Sequence, residues 1–339
     1  MNRITVGAHA LFMLAALGLA FWTTSTEQVR TDARGDINIL DIEKKDLQKV
    51  SYTWPDGDLT LNLVGQKKQK NVYATLEHER SGPEKKEWLQ ETGKKSDDPG
   101  IIVPKKTYRF PANDSVKKSL SRLTPFLGKR SLGTVSQDAL TQMGLLPIKR
   151  TLKITWTRGE ASFDIGESTY GDRARYVRRS GKEEVYLVPG AVIKGLEGPP
   201  PRLQEARAFG LDLATVKKMV LEAKGEPRAY TLFNPDDAKN RFFAREGSSE
   251  KDPLTTNLIR TLRTLRIVRY LESGDLETLK PEFKIRFEFN DIDDLEVAIF
   301  TSENAPKYRA MINGFPALLD ENRGARAAEE LQEIFDNAP

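Results

Sequence analysis

A chain of 339 residues is long enough for two domains or one large one. Its net charge of +4 is a small excess of 53 basic over 49 acidic side chains. That is a mixed-sign surface, not the clustered basic footprint of a nucleic-acid binder. Cysteine is absent, and His9 and His78 are the two histidines. These counts exclude disulfides, thiolate metal sites and a lipidated cysteine, and leave histidine chemistry little material.

Residues 4–22, ITVGAHALFMLAALGLAFW, carry no formal charge. At ~1.5 Å rise per residue, a helix of this length about spans a ~30 Å hydrocarbon layer. Arg3 precedes it, and Thr23, Thr24, Ser25, Thr26 and Glu27 follow. Positive charge stays on the cytoplasmic side, so the body is expected outside. Trp22 sits where an interfacial aromatic would. A cleaved signal peptide would have a shorter apolar region and a small-x-small site, and Ala20-Phe21-Trp22 is a poor one. The reading is a retained, single-pass signal-anchor over 1–27 in the cell inner (cytoplasmic) membrane. A polar tether over 28–39 follows it, and the body lies on the periplasmic side.

Val50, Tyr52 and Trp54 alternate with polar residues, as do Leu59, Leu61 and Leu63. Pro55-Asp56-Gly57 between them predicts a hairpin turn. Residues 71–76 read as a further strand. Residues 80–107, rich in Gly, Pro and charge, read as a long surface excursion with a small strand at 101–103. Asn113, Asp114 and Ser115 offer N-caps. Val116, Leu120, Leu123 and Leu127 then recur at helical spacing. Pro125 kinks or ends that helix. On this reading TPFLGKRSLG, residues 124–133, is a helix tail and turn, with Gly128 as C-terminal cap and Lys129 and Arg130 at the negative end of the dipole. A phosphate-binding loop needs an earlier Gly and a Ser or Thr directly after the Lys, opening a helix. Leu123 and Arg130 occupy those places, so no nucleotide is expected there. Further on, Leu152, Ile154 and Trp156 alternate, residues 161–165 return, and residues 171–188 form another hairpin turning at Ser180-Gly181. Arg173, Arg175, Arg178 and Arg179 on it offer an anion site or, more ordinarily, a solvated strand face.

The grammar then restarts. Leu211-Asp212-Leu213 echoes Leu40-Asp41-Ile42, and a strand at 219–222, a turn near 225–227 and a strand at 230–233 echo the first hairpin. Leu258, Ile259, Leu262 and Leu265 predict a helix equivalent to that of Val116, Leu120 and Leu123. FKIRFEF, residues 283–289, matches LKITW, and residues 308–319 match the hairpin over 176–188. The predicted fold class is α+β: tandem duplicated units of antiparallel sheet plus one main helix each, with an N-terminal transmembrane helix. The units cover 40–198 and 199–339, jointed at GLEGPPP, residues 195–201. A C-terminal helix presents Ala327, Ala328, Leu331, Ile334 and Phe335 on one face.

The order Leu-Asp, a helix ending in KRSLG, then LKITW, FDIGE, RYVRR and VYLV resembles a bacterial family classed as a domain of unknown function. The resemblance runs from about Leu40 to Leu319. Members often carry an N-terminal transmembrane segment and are encoded beside ABC-transporter components of the gliding-motility type. The resemblance implies a non-enzymatic extracytoplasmic accessory subunit of such a complex. Its partners would be the lipid bilayer, through the N-terminal helix, and ABC-type permease and ATPase subunits, with no nucleic acid and no nucleotide. Alternatives are a tethered envelope module binding glycan or peptide, and an envelope enzyme. The long excursion over 80–107 departs from the family's compact first unit.

No catalytic, cofactor-binding or metal-binding residue is expected, and no cofactor. Asp291-Ile292-Asp293-Asp294 superficially matches the start of a calcium loop. Leu295, Glu296 and Val297 follow at once as a strand, where ligands at alternating positions, a central Gly and a terminal Glu are required. No nucleophile elbow, zinc motif or paired-carboxylate spacing stands out.

Overall fold

The computed structural model describes residues 35–65, 71–80, 82–95, 103–210, 212–272, 276, 279–290, 293–302 and 307–337. The expected anchor over 1–27, most of the tether, Ile101, Ile102, Leu211, Asp291 and Ile292 lie outside them. Among the described residues no helix is long and apolar enough to cross a membrane. The fold is α+β and sheet-rich, with every strand pairing antiparallel.

The first half runs β1 (Ile37–Leu40), β2 (Leu47–Trp54), β3 (Gly57–Val64), β4 (Asn71–Glu79), α1 (Gly82–Thr92), β5 (Lys105–Pro111), α2 (Asp114–Ser121), β6 (Phe126–Gly128), β7 (Arg130–Thr134) and α3 (Gln137–Gln142). It continues with β8 (Thr151–Trp156), β9 (Gly159–Ser168), β10 (Ala174–Arg179), β11 (Glu184–Pro189), α4 (Gly190–Lys194) and α5 (Pro200–Leu203). The second half runs β12 (Val216–Ala223), β13 (Glu226–Phe233), β14 (Phe242–Arg245), α6 (Pro253–Thr264), β15 (Ile267–Tyr270), β16 (Phe283–Phe289), β17 (Leu295–Thr301), β18 (Tyr308–Ile312), β19 (Phe315–Leu319) and α7 (Glu321–Asp336).

The strands form a nine-stranded sheet ordered β5-β4-β3-β2-β8-β9-β10-β11-β7 and an eight-stranded sheet ordered β14-β13-β12-β16-β17-β18-β19-β15. Without β5, the two orders match strand for strand. In each half a hairpin comes first. A helix then carries the chain to the far edge, where one short strand forms, and a four-strand meander fills the gap between.

Period-2 patterning turns one face of each sheet inward. Phe283, Ile285, Phe287 and Phe289 of β16 all point into the second core, under Leu258, Ile259 and Leu262 of α6 and Ala327, Leu331 and Ile334 of α7. In the first core Tyr52, Leu61, Leu152 and Phe163 lie under Val116 and Leu120 of α2 and Val192 and Ile193 of α4. The first core runs from Leu40 to Leu203 and the second from Ala208 to Ile334, while Tyr270 packs against both. The main helices begin where a side-chain acceptor meets a free amide. Asn113 Oδ1 accepts from Val116 N at 3.1 Å, and Asp252 Oδ1 from Leu254 N at 2.8 Å.

Three local expectations are corrected. Helix α2 ends at Ser121, and Leu123 and Phe126 reach the core from beyond it. TPFLGKRSLG is therefore no helix tail but the strands β6 and β7, and Gly128 pairs with Ile37 as a strand residue. Lys129 serves no helix dipole; its Nζ donates to both oxygens of Asp36 at 2.7 Å. The excursion over 80–107 carries α1, Val103 lies in no strand, and the strand there is β5, which starts at Lys105.

Candidate functional site

The residues between the two cores bond to both. Glu205 N donates to Pro111 O at 2.8 Å and Asn113 N to Leu203 O at 2.9 Å, on the side of β5. On the other side Ala208 N donates to Leu265 O at 3.1 Å and Ile267 N to Ala206 O at 2.8 Å. Aromatic rings close the seam beside this segment. Tyr73 stacks on Phe315 at 5.0 Å, Tyr270 meets Phe315 edge-on at 6.4 Å, and Phe110 lies 6.3 Å from Tyr270. Such ring pairs stabilise beyond the area they bury. Asn71 Nδ2 donates to Asp293 Oδ2 across the seam at 3.3 Å.

At this seam lies a cleft of about 420 Å³, whose walls include Tyr73 and Lys117 from the first unit and Tyr270, Asp293 and Asn313 from the second. Arg207, from the connecting segment, is held by Glu205 (Nε to Oε1, 3.1 Å) and by Asp114 (Nη2 to Oδ2, 3.2 Å). Tyr270 Oη donates to the Glu205 carbonyl at 3.2 Å. Burial, and then the Glu205 charge, push the Tyr270 phenol up. Burial, and then Asp293, do the same for Tyr73. Both phenols therefore stay protonated at neutral pH, Tyr270 as a donor to the Glu205 carbonyl and Tyr73 beside the amides of Asn71 and Asn313. The cleft offers fixed donors, acceptors and ring edges, the usual furniture of a binding site between structural units.

The side chains singled out in the sequence are scattered. Among the described residues no group of three or more His, Cys, Asp or Glu is placed to hold a metal ion. Asp293 comes to the cleft, while Asp291 and Ile292 lie outside the described residues. Of Arg173, Arg175, Arg178 and Arg179, the first is exposed, while Arg175 and Arg178 are tied to carboxylates. Arg178 bonds Asp164 through Nε (3.2 Å) and Nη2 (2.9 Å), and Arg175 is buried. Arg175 Nη2 donates to Glu197 Oε2 at 3.0 Å, and Tyr52 Oη donates to Glu197 Oε1 at 2.5 Å. Glu197 lies in the stretch that reads as a joint. With Leu196 and Pro200 buried, it is packed onto the first sheet. His78, also buried, has its Nδ1 2.8 Å from the Glu79 carbonyl oxygen. Sequence reasoning missed the cleft because its residues come from segments far apart in the chain.

Fold and cleft together define a body of two topologically equivalent antiparallel sheets, joined by an aromatic seam with a cleft beside it. The chain belongs to the family described as Domain of unknown function (DUF4340), whose model matches residues 106–282. The match is narrower than the resemblance drawn from the sequence, running from β5 to just before β16. No curated protein and no solved structure matches.

Proposed function

We propose that this chain is a non-enzymatic extracytoplasmic accessory subunit of an ABC-transporter-type, gliding-motility-like membrane complex. Residues 4–22 tether it to the bilayer, and the duplicated body, units 40–198 and 199–339, stands on the periplasmic side. The observation that carries the reading is the cleft at the seam. Its walls come from both units, and several of its polar side chains are held by internal bonds, as suits recognition of a partner's segment. The permease and ATPase subunits are the proposed partners.

The test is gentle detergent extraction after in vivo photo-crosslinking from position 117, at the cleft rim. Permease and ATPase subunits should co-migrate with the chain, and protease added to spheroplasts should digest the body. A body that is protected from protease, or that migrates alone with no crosslink, overturns the proposal. The paired tyrosines Tyr73 and Tyr270 with the amides Asn71 and Asn313 favour a second reading, a tethered envelope module binding glycan or peptide. A glycan or peptide that raises the melting temperature of the full chain would select it, since a ligand of the folded form alone stabilises that form.

A further inference from the structure

A second cavity, of about 390 Å³, lies in the second unit between α6 and the β13–β14 edge. Arg241, Arg260 and Arg263 line it together with Leu232, Phe243 and Ile259. Among the described residues no carboxylate lines this cavity. Arg260 and Arg263 are exposed on α6, with no ion pair or hydrogen bond to another described side chain. Arg241 donates through Nη2 to the Pro235 carbonyl, yet its Nε is buried without a partner. The nearby Asp237 acts on Arg241 through its charge, but its hydrogen bonds stay within its own loop, where it accepts from Lys239 N (3.0 Å) and from Asn240 Nδ2 (2.7 Å).

A cation in the last turn of a helix is ordinary, and the dipole accounts for Arg263. It does not account for Arg241, which comes from beside β14, nor for a buried, unpaired guanidinium nitrogen. Three like charges converging on one cavity repel one another, and an anion between them removes that cost. Guanidinium forks match the oxygens of phosphate and carboxylate. The other wall is apolar, so the anion it fits carries an apolar body.

We propose that this cavity binds an amphiphilic anion. A phosphate head would sit among Arg241, Arg260 and Arg263, with an apolar chain against Leu232, Phe243 and Ile259. The head can belong to a membrane lipid or to a soluble alkyl phosphate.

The test uses the full chain held in nanodiscs of phosphatidylcholine. Octyl phosphate is titrated calorimetrically into wild type and into the double variant Arg260→Ala, Arg263→Ala. Both positions are exposed, and an unchanged melting temperature verifies the variant's fold. Loss of these two charge-assisted contacts should weaken binding about ten-fold or more. Vesicles containing phosphatidic acid form the second arm. Recruitment lost in the variant assigns the head to a lipid, and lack of recruitment assigns it to the soluble amphiphile. Affinity equal in wild type and variant, no octyl phosphate binding at all, or equal affinity for inorganic phosphate overturns the proposal.

Discussion

Replacing Glu197 by alanine should destabilise the first unit far more than its place in a Gly- and Pro-rich stretch implies. The carboxylate accepts from Tyr52 Oη at 2.5 Å and Arg175 Nη2 at 3.0 Å, and lies 3.5 Å from Arg150 Nε. Without it, the buried Arg175 keeps one bond, to the Gly166 carbonyl at 3.3 Å, and the Tyr52 hydroxyl loses its partner. Breaking one side of a buried ion pair costs ~3–5 kcal/mol. The Glu197 side chain retains 18% exposure, which places the cost near the lower end of that range. Glu197→Gln keeps an acceptor for Tyr52 and should cost less, about 1–2 kcal/mol. The double variant Glu197→Leu, Arg175→Met removes both charges and should recover much of the loss. Urea unfolding followed by tryptophan fluorescence reads this directly. The four tryptophans are at 22, 54, 88 and 156, so none lies in the second unit, and Trp54 stacks on Tyr52 at 5.6 Å. With a slope of ~1–3 kcal/mol per molar urea, Glu197→Ala should lower the midpoint by about 1 M or more. A midpoint within about 0.3 M of wild type would show residues 195–201 to be a free joint and refute the reasoning.

Tyr52 and Tyr270 both have phenols held up by burial, with Glu197 and Glu205 respectively adding to it. Their stabilisation is whole below the unfolded value of about 10 and is lost as pH rises above it, by ~1.4 kcal/mol per pH unit for each. Urea midpoints taken between about pH 9 and 11.5 should fall less steeply in Tyr52→Phe and Tyr270→Phe, and slopes equal to wild type would contradict the burial argument. A Cβ at Gly195 would stand 2.1 Å from Ser119 Oγ, where α2 meets the end of α4. Gly195→Ala should therefore cost ~1–3 kcal/mol in thermal unfolding, with partial rescue by Ser119→Ala. Leu120→Ala and Leu262→Ala should each cost ~2–5 kcal/mol as equivalent core truncations, and the exposed Lys118→Ala no more than about 0.5 kcal/mol; equal shifts for Leu120 and Lys118 would mean that α2 does not face a core. Lys129→Ala should remove the contact to Asp36 and leave any ATP affinity unchanged in a direct binding assay, while a specific loss of ATP binding would reopen the phosphate-loop reading.

The strand pattern and the repeat were readable because period-2 alternation is a local signal. Phe283 to Phe289 and Leu152 to Trp156 announce their inward faces without reference to any partner. The end of α2 was harder. Leu123 continues the helical spacing of Val116 and Leu120, and it is buried in the same core, but from a bend after the helix. Burial periodicity therefore outran the helix itself. Residues 105–107, the start of β5, fall inside an excursion judged by its charge, and 108–111 are given no element. In β5 the burial alternates weakly until Phe110, because an edge strand needs few apolar residues. The seam was invisible for another reason. Tyr73, Phe110, Tyr270 and Phe315 lie on four separate strands, and no spacing in the sequence relates them.

Strand β5 is also the one element of the first sheet without an equivalent in the second, and its position explains the asymmetry of the body. An unpaired sheet edge must be shortened, charged or covered. The first sheet extends its edge by β5 and sets that edge against β15 and β19, where Phe110 meets Tyr270 and Lys106 lies 3.6 Å from Glu272. In the second sheet the corresponding edge ends one strand earlier, at the four-residue β14, beside which Arg241 lies over the arginine-lined cavity. The added strand thus joins the units at one place, and its lack leaves an open edge at the other. The family match begins within β5 and includes α2, the connecting segment and β15. It excludes β2–β4 and β16–β19, which complete the two sheets on either side. The matched region is therefore not one of the two units: it holds Phe110, Glu205, Arg207 and Tyr270 of the seam, while Tyr73, Asp293 and Phe315, which meet them, come from strands and turns on either side of it.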